Sequence, residues 1–421
     1  MEDIQRKKLI RVTTADISLN SLLKGQLKFL NQYFDVIGVA KDTGVLKEVS
    51  EREGIRVIDA PLERPISLVK DIKGLWFLYR LFRKEKPWCV HANTPKGSLL
   101  AMIAAWFACV PHRVYTVTGL RYQGAHGFLR TILKTMERLS CLFATNVIPE
   151  GQGVLQCLKR DNITKKSLQV IHYGNINGKD TEFFSRDNTI QTASLKLSDK
   201  QIHLRYLSEK EARSLVRSEL GFSNNDFIFV FIGRLVNDKG LGELADAIRK
   251  LENENLEIKL LLIGEIDGED DVLAKDKLNY LMQSKNVKYI GVQSDIRPYL
   301  MVSDVLVFPS YREGFPNVPL EAGALGLPAI VTNINGSNEI IEDGVNGKII
   351  QAPLDNNGMR VNDITNELYT MMKWFFHHPE EVKRMGENAR PIICERYEQQ
   401  NVWKALLKFY NDLLIKIIDG I

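Results

Sequence analysis

The sequence predicts an α/β protein of two successive domains, each a mostly parallel β-sheet with helices on both faces. Three observations lead there. The chain has 421 residues, and a single core seldom grows past ~250–300. Short apolar runs alternate with amphipathic segments, the pattern of β-α-β units. The runs are rich in β-branched residues on both faces, which suits strands covered on each side.

In the first half the predicted strands are "KLIRVTT" from Lys8, "FDVIGVA" from Phe34, "GIRVIDA" from Gly54, "WCVHAN" from Trp88, "RVYTVTG" from Arg113, "ATNVIPE" from Ala144 and "LQVIHYG" from Leu168. Helical periodicity falls between them, over Leu22–Tyr33, Leu68–Phe82 and Leu99–Phe107. In the second half "FIFVFIGRL", "EIKLLLIG", "VKYIGV", "VLVFPS" and "PAIVTN" repeat the theme. The two halves read as Rossmann-like domains, residues 1–186 and 187–399. "SRDNTIQTASLKLSDKQ" loses periodicity and gains Ser, Thr and Asn, as a linker does. The last segment, 400–421, is apolar at helical spacing and is expected to cross back to the first domain.

Composition narrows the class. The chain is 44% hydrophobic and 26% charged, ordinary for a soluble globular protein. Its five cysteines form no C-x-x-C pair, so neither a zinc site nor a disulfide frame is suggested, and a reducing cytoplasm fits. The start "MEDIQRKKLIRV" turns directly into a strand, with no apolar signal segment. The longest apolar run, Leu99–Val110, falls short of the ~20 residues that span a bilayer and reads as a buried helix. Charge is uneven: residues 1–180 hold 28 Lys and Arg against 16 Asp and Glu, net +12, and the remainder 28 against 36, net −8. The first half therefore favours an anionic ligand or surface.

The stretch "SYREGFPNVPLEAGALGLP" holds two acids, Glu313 and Glu321. A separation of eight positions is about 800° of helix, so one continuous helix would not align them. Pro316 and Pro319 start the helix near Val318 or Pro319, which leaves Glu313 in the preceding loop and Glu321 in the first turn. An acid in a first turn is also a plain dipole partner. Upstream, in "GRLVNDKG", Gly233 ends an apolar strand and Arg234 and Lys239 follow, at the sheet edge where α/β proteins bind ligands. Two cations there suit a diphosphate, Arg as a planar fork and Lys as a point charge. Backbone amides at the helix starts after "GFPNVP" and in "NGSNEII" add donors for phosphate.

Taken together, "GRLVNDKG", the E-x7-E element and "GSNEII" resemble glycosyltransferase family 4, retaining enzymes of the two-domain GT-B fold, whose Rossmann-like domains face each other across a cleft. The resemblance spans most of the chain and is strongest over 226–347. It implies a nucleotide-sugar donor, with no metal and no other cofactor. It also implies that Glu321 accepts from the ribose hydroxyls and that Glu313 lies at the donor sugar as nucleophile, electrostatic partner or sugar anchor. Gly314, Phe315 and Asn317 would shape that loop. Ile290 and Val292, in "KYIGVQSDI", are base-contact candidates or simply a core strand end.

On the acceptor side, "VHANTPKG" is similar to the H-x-H-T-P-K stretch of the branch that builds bacterial surface polysaccharides on lipid carriers, with Asn93 in the second His position. Thr94 and Lys96 are acceptor-side candidates, Thr94 also as a helix cap. His91 either touches the acceptor or is a core histidine. Thr118 stands where many relatives carry a histidine, and it cannot serve as a base near neutral pH. The resulting expectation is a cytoplasmic enzyme moving a hexose or N-acetylhexosamine from a UDP-sugar to a polyprenyl-diphosphate-linked or oligosaccharide acceptor in capsule, exopolysaccharide or O-antigen assembly. Nucleic acid is not an expected partner. The rivals are a UDP-sugar 2-epimerase on the same fold and a non-catalytic nucleotide-sugar-binding subunit. The helix in "VKDIKGLWFLYRLFRKEKPW" sets aromatics among cations, and lies either on the anionic inner leaflet of the plasma membrane or against its own domain.

Overall fold

The computed structural model describes residues 6–418 except 64, 66, 198–199, 267–270 and 356–359. The chain forms two compact units, Met1–Gly178 with Gln399–Ile421, and Lys179–Glu398. The first is built on β1 (Lys8–Ala15), β2 (Asp35–Lys41), β3 (Arg56–Asp59), β4 (Cys89–Ala92), β5 (His112–Val117) and β6 (Asn146–Pro149). All pairs are parallel, in the order β3-β2-β1-β4-β5-β6. Successive side chains feed opposite faces: Ile10, Val12 and Val90 enter one core, Leu9 and Cys89 the other.

The second unit opens with an antiparallel ribbon, β7 (Ser194–Leu197) and β8 (Lys200–His203). Its sheet contains β9 (Phe227–Ile232), β10 (Ile258–Ile263), β11 (Val287–Tyr289), β12 (Val305–Phe308), β13 (Ala329–Thr332) and β14 (Gly347–Ile350). Their order is β11-β10-β9-β12-β13-β14, again parallel. Phe229 and Phe231 pack on one face, Ile228, Val230 and Ile232 on the other. In both sheets the strand order reverses beside the first strand, between β1 and β4 and between β9 and β12. Loops leaving the carboxyl ends at such a point part in opposite directions and leave a crevice for a ligand.

Several details differ from the sequence reading. "LQVIHYG" is no strand: Leu168 alone bridges Val147, and His172 and Asn175 have positive φ. The linker stretch holds a helix, Arg186–Thr192, capped by the Ser185 side chain, as well as the ribbon. The unit boundary falls at 178/179 because the following residues bond within the second unit. Lys179 N–H donates to the Tyr397 carbonyl at 2.7 Å, and Arg390 donates to the carbonyls of Thr181 (3.0 Å) and Phe184 (2.9 Å). The final helix, Gln399–Ile418, packs in the first unit. Its Tyr410 sits against Phe34 and Trp88, and its Trp403 donates to Asn177 at 2.8 Å. The apolar run Leu99–Val110 lies mostly in the buried helix Pro95–Phe107.

Candidate active site

The loops after β9 and β12 flank the reversal point of the second sheet and are locked to each other. Gly240 ends the first loop at φ 73°, and a Cβ there would lie 2.3 Å from the Pro309 carbonyl, so only glycine permits this approach. The Asp238 carbonyl accepts from Tyr311 N–H at 2.8 Å and from Ser310 Oγ at 3.2 Å, while the Asp238 carboxylate pairs with Arg312. Behind them, Tyr311 donates to the buried Glu243 carboxylate at 2.8 Å, which also pairs with Arg360.

This frame brings Lys239 onto Glu313, an ion pair between Nζ and Oε1. Arg234 is exposed on the same loop, and Gly233 N–H donates to Ile263 at 3.0 Å. Downstream, Phe315 is buried against Tyr397, ring centroids 5.6 Å apart. Gly336 covers this turn at φ 72°, where a Cβ would meet Phe315 Cα and Pro316 Cδ at 2.7 Å. Gly314 and Asn317 are half-buried beside it.

The helix carrying Glu321 runs Asn317–Ala324, capped by Pro316 and starting one or two residues before the expected Val318 or Pro319, and its first turn contains no acid. The dipole reading of Glu321 is therefore corrected: it lies past the first turn, and its partner is a side chain. Lys179 Nζ approaches Glu321 Oε1 at 2.6 Å. Lys179 was not singled out from sequence, where it reads as one cation in the turn "NINGKDTEFF". Ile290 is half-buried, its N–H bonded to Leu262 and its carbonyl accepting from Gln293 at 2.7 Å. Val292 is exposed.

In the first unit the corresponding crevice is bridged by hydroxyls. Thr94 takes the cap position of Pro95–Phe107 without capping it. Its Oγ1 instead accepts from Thr14 N–H and meets Thr14 Oγ1, both at 2.9 Å. Lys96 is buried and paired with Asp71 at 2.5 Å. Thr118 donates to the Asn93 carbonyl at 2.8 Å. His91 is a core residue, 1% exposed, with Nδ1 on Tyr410 OH (2.5 Å) and Nε2 on Thr116 Oγ1 (2.7 Å). Burial and then the Arg11 charge hold it well below the ordinary histidine range, so it stays neutral. No helix among the described residues is long and apolar enough to cross a membrane.

Two Rossmann-like units, with cation–carboxylate pairs near the reversal point of the second sheet, make an α/β architecture suited to a phosphate-bearing ligand. Residues 212–391 match the family described as glycosyl transferases group 1, and residues 20–150 match the glycosyl transferase 4-like family. The chain is 30% identical over 415 residues to the capsular polysaccharide biosynthesis glycosyltransferase CapM of Staphylococcus aureus, covering 98% of each. It is 30% identical over 422 residues to the UDP-Gal:alpha-D-GlcNAc-diphosphoundecaprenol alpha-1,3-galactosyltransferase of Escherichia coli, covering 97% of this chain and 98% of that one. Among solved structures, Anabaena HepE in complex with UDP-glucose shares the fold, with TM-score 0.73 and 18% identity, over 96% of this chain and 100% of that one. The protein belongs to the group 1 glycosyltransferases.

Proposed function

We propose that the protein is a retaining, metal-independent glycosyltransferase. It moves a hexose or N-acetylhexosamine from a UDP-sugar onto a polyprenyl-diphosphate-linked glycan in surface-polysaccharide assembly. The observation that carries this reading is the Lys239–Glu313 pair, with Arg234 on the same loop as Lys239, at the reversal point of the second sheet. An incoming diphosphate competes for Lys239, and the exchange leaves the Glu313 carboxylate facing the sugar. Arg234, Lys239 and the first amides of the Asn317–Ala324 helix then stabilise the departing UDP. Glu313 stabilises positive charge building at the anomeric carbon, and Glu321 accepts from the ribose hydroxyls. The descriptions of the S. aureus and E. coli relatives support the substrate classes.

The first unit works at an anionic membrane surface in this reading. Its helix Leu68–Glu85 buries Leu78 and Phe82 and presents Leu68 (79% exposed), Val69 (81%), Ile72 (66%) and Trp76 (59%) outward. Lys70, Lys73, Arg80, Arg83 and Lys84 lie on the same helix. Cations around an apolar face suit a headgroup region.

The deciding experiment incubates the purified protein with a panel of UDP-sugars, with and without a polyprenyl-diphosphate-linked N-acetylhexosamine, in EDTA. NMR then reads the anomeric configuration of the product. An acceptor-dependent product that keeps the donor's configuration is expected. Isomerised UDP-sugar without acceptor would make the protein an epimerase, and an absolute need for Mg²⁺ or Mn²⁺ would end the metal-free mechanism.

A further inference from the structure

We propose that Lys179 is a positioning residue for the nucleotide's ribose: it orients the Glu321 carboxylate and makes donor binding selective for ribose over 2′-deoxyribose. The inference rests on the proposed role of Glu321. Lys179 Nζ lies 2.6 Å from Glu321 Oε1, with the two side chains 14% and 13% exposed. Such an enclosed, charge-assisted contact fixes a side chain far better than a surface pair does.

The backbone carrying Lys179 is itself fixed. Its N–H donates to the Tyr397 carbonyl at 2.7 Å, and the residue pairs in parallel with Glu398. Thr181 N–H, two residues on, donates to the Glu398 carboxylate at 3.2 Å. Tyr397 packs on Phe315 and donates from its hydroxyl to the Glu339 carbonyl at 2.9 Å. Lys179 is therefore held to the same aromatic that supports the Glu313 turn, and its ammonium reaches Glu321 from a rigid base.

One consequence follows for a bound nucleotide. A carboxylate has about four acceptor positions across two oxygens. Lys179 takes one on Oε1, which leaves acceptor positions for the two neighbouring ribose hydroxyls.

The test uses the full chain and calorimetric titration with UDP and with 2′-deoxy-UDP, which needs no acceptor and no turnover. Wild type should prefer UDP. In Lys179→Met, UDP affinity should fall by roughly tenfold, the scale of one charge-assisted hydrogen bond. The 2′-deoxy analogue should lose much less, so that the preference collapses. Lys179→Arg should retain most of it. Lys179→Gln serves if the Met variant does not fold. A variant that weakens both nucleotides equally, or keeps the wild-type preference, overturns the role of Lys179 alone. Wild type that binds neither nucleotide overturns the function on which the inference rests.

Discussion

Lys239 and Glu313 neutralise each other across 74 residues of chain, and each side chain is mostly enclosed. In the proposed reading, the lysine assigned to the diphosphate is thus paired with the acid assigned to the sugar. A nucleotide diphosphate bound there would break or share this pair. Glu313→Gln should abolish transfer and bind UDP at least as tightly as wild type, because Lys239 is no longer held by a charge. Glu321→Ala should instead weaken UDP by ~1.5–3 kcal/mol for lost charged hydrogen bonds. Calorimetry with UDP on both variants checks this, and reversed losses would exchange the two assignments.

Arg234→Ala and Lys239→Ala should each damage UDP binding while hardly changing that of uridine. Their partners in the proposed reading are phosphate oxygens, and charged hydrogen bonds to phosphate are among the stronger contacts. A variant that still separates UDP from uridine as wild type does would take its residue out of the phosphate site.

Glu137 gives a pH prediction unrelated to the active site. It is buried in the helix Gly127–Phe143 and accepts from Tyr115 OH at 2.6 Å. Burial pushes its carboxyl up to about 7, and the Tyr115 hydrogen bond only partly opposes this. The folded value lies above the unfolded one, so the contribution to stability is full below pH ~4.5 and is lost as pH rises through about 7. Relative to Glu137→Gln, wild type should lose stability between pH 5 and 8, by about 3 kcal/mol at most. Urea unfolding of both proteins at the two pH values measures the difference. Parallel behaviour would mean that Glu137 ionises freely in the fold.

What the sequence made legible follows from how locally each feature is encoded. The β9 and β12 runs, the Gly240 turn and the prolines around Asn317 act over a few residues, so sheet edge and acid-bearing loop could be read directly. Lys179 could not be, because its meaning depends on Glu321, 142 positions away. His91 is settled by Tyr410, 319 positions away, whose helix closes the first core. β14, in "NGKII", was missed because the run is short and starts at a glycine; it is a strand because β13 pairs with it. Glu321 was placed in the first turn because the helix start was read one or two residues too late: proline is compatible with several first-turn positions, and the chain used Pro316 as the cap.

The last prediction concerns the membrane. A helix flanking a Rossmann sheet is normally amphipathic with its apolar side inward. The helix Leu68–Glu85 meets that requirement with Gly74, Leu78 and Phe82, yet Leu68, Ile72 and Trp76 remain outward, four residues apart and so on one face. Trp76 stacks on Tyr79, their ring centroids 5.5 Å apart, which widens the apolar surface. Each nearby cation adds ~1 kcal/mol on an anionic leaflet and little on a neutral one. Wild type should therefore co-sediment with liposomes containing anionic lipid at low salt, and release as salt rises. Ile72→Ser with Trp76→Ser should weaken binding at every salt concentration, because apolar insertion is not screened. Replacing Lys73 and Arg80 with Gln should remove chiefly the salt-sensitive part. UDP affinity should be unchanged in both variants, since neither alters the second unit. Binding indifferent to lipid charge and to both sets of substitutions would leave this face without a membrane role.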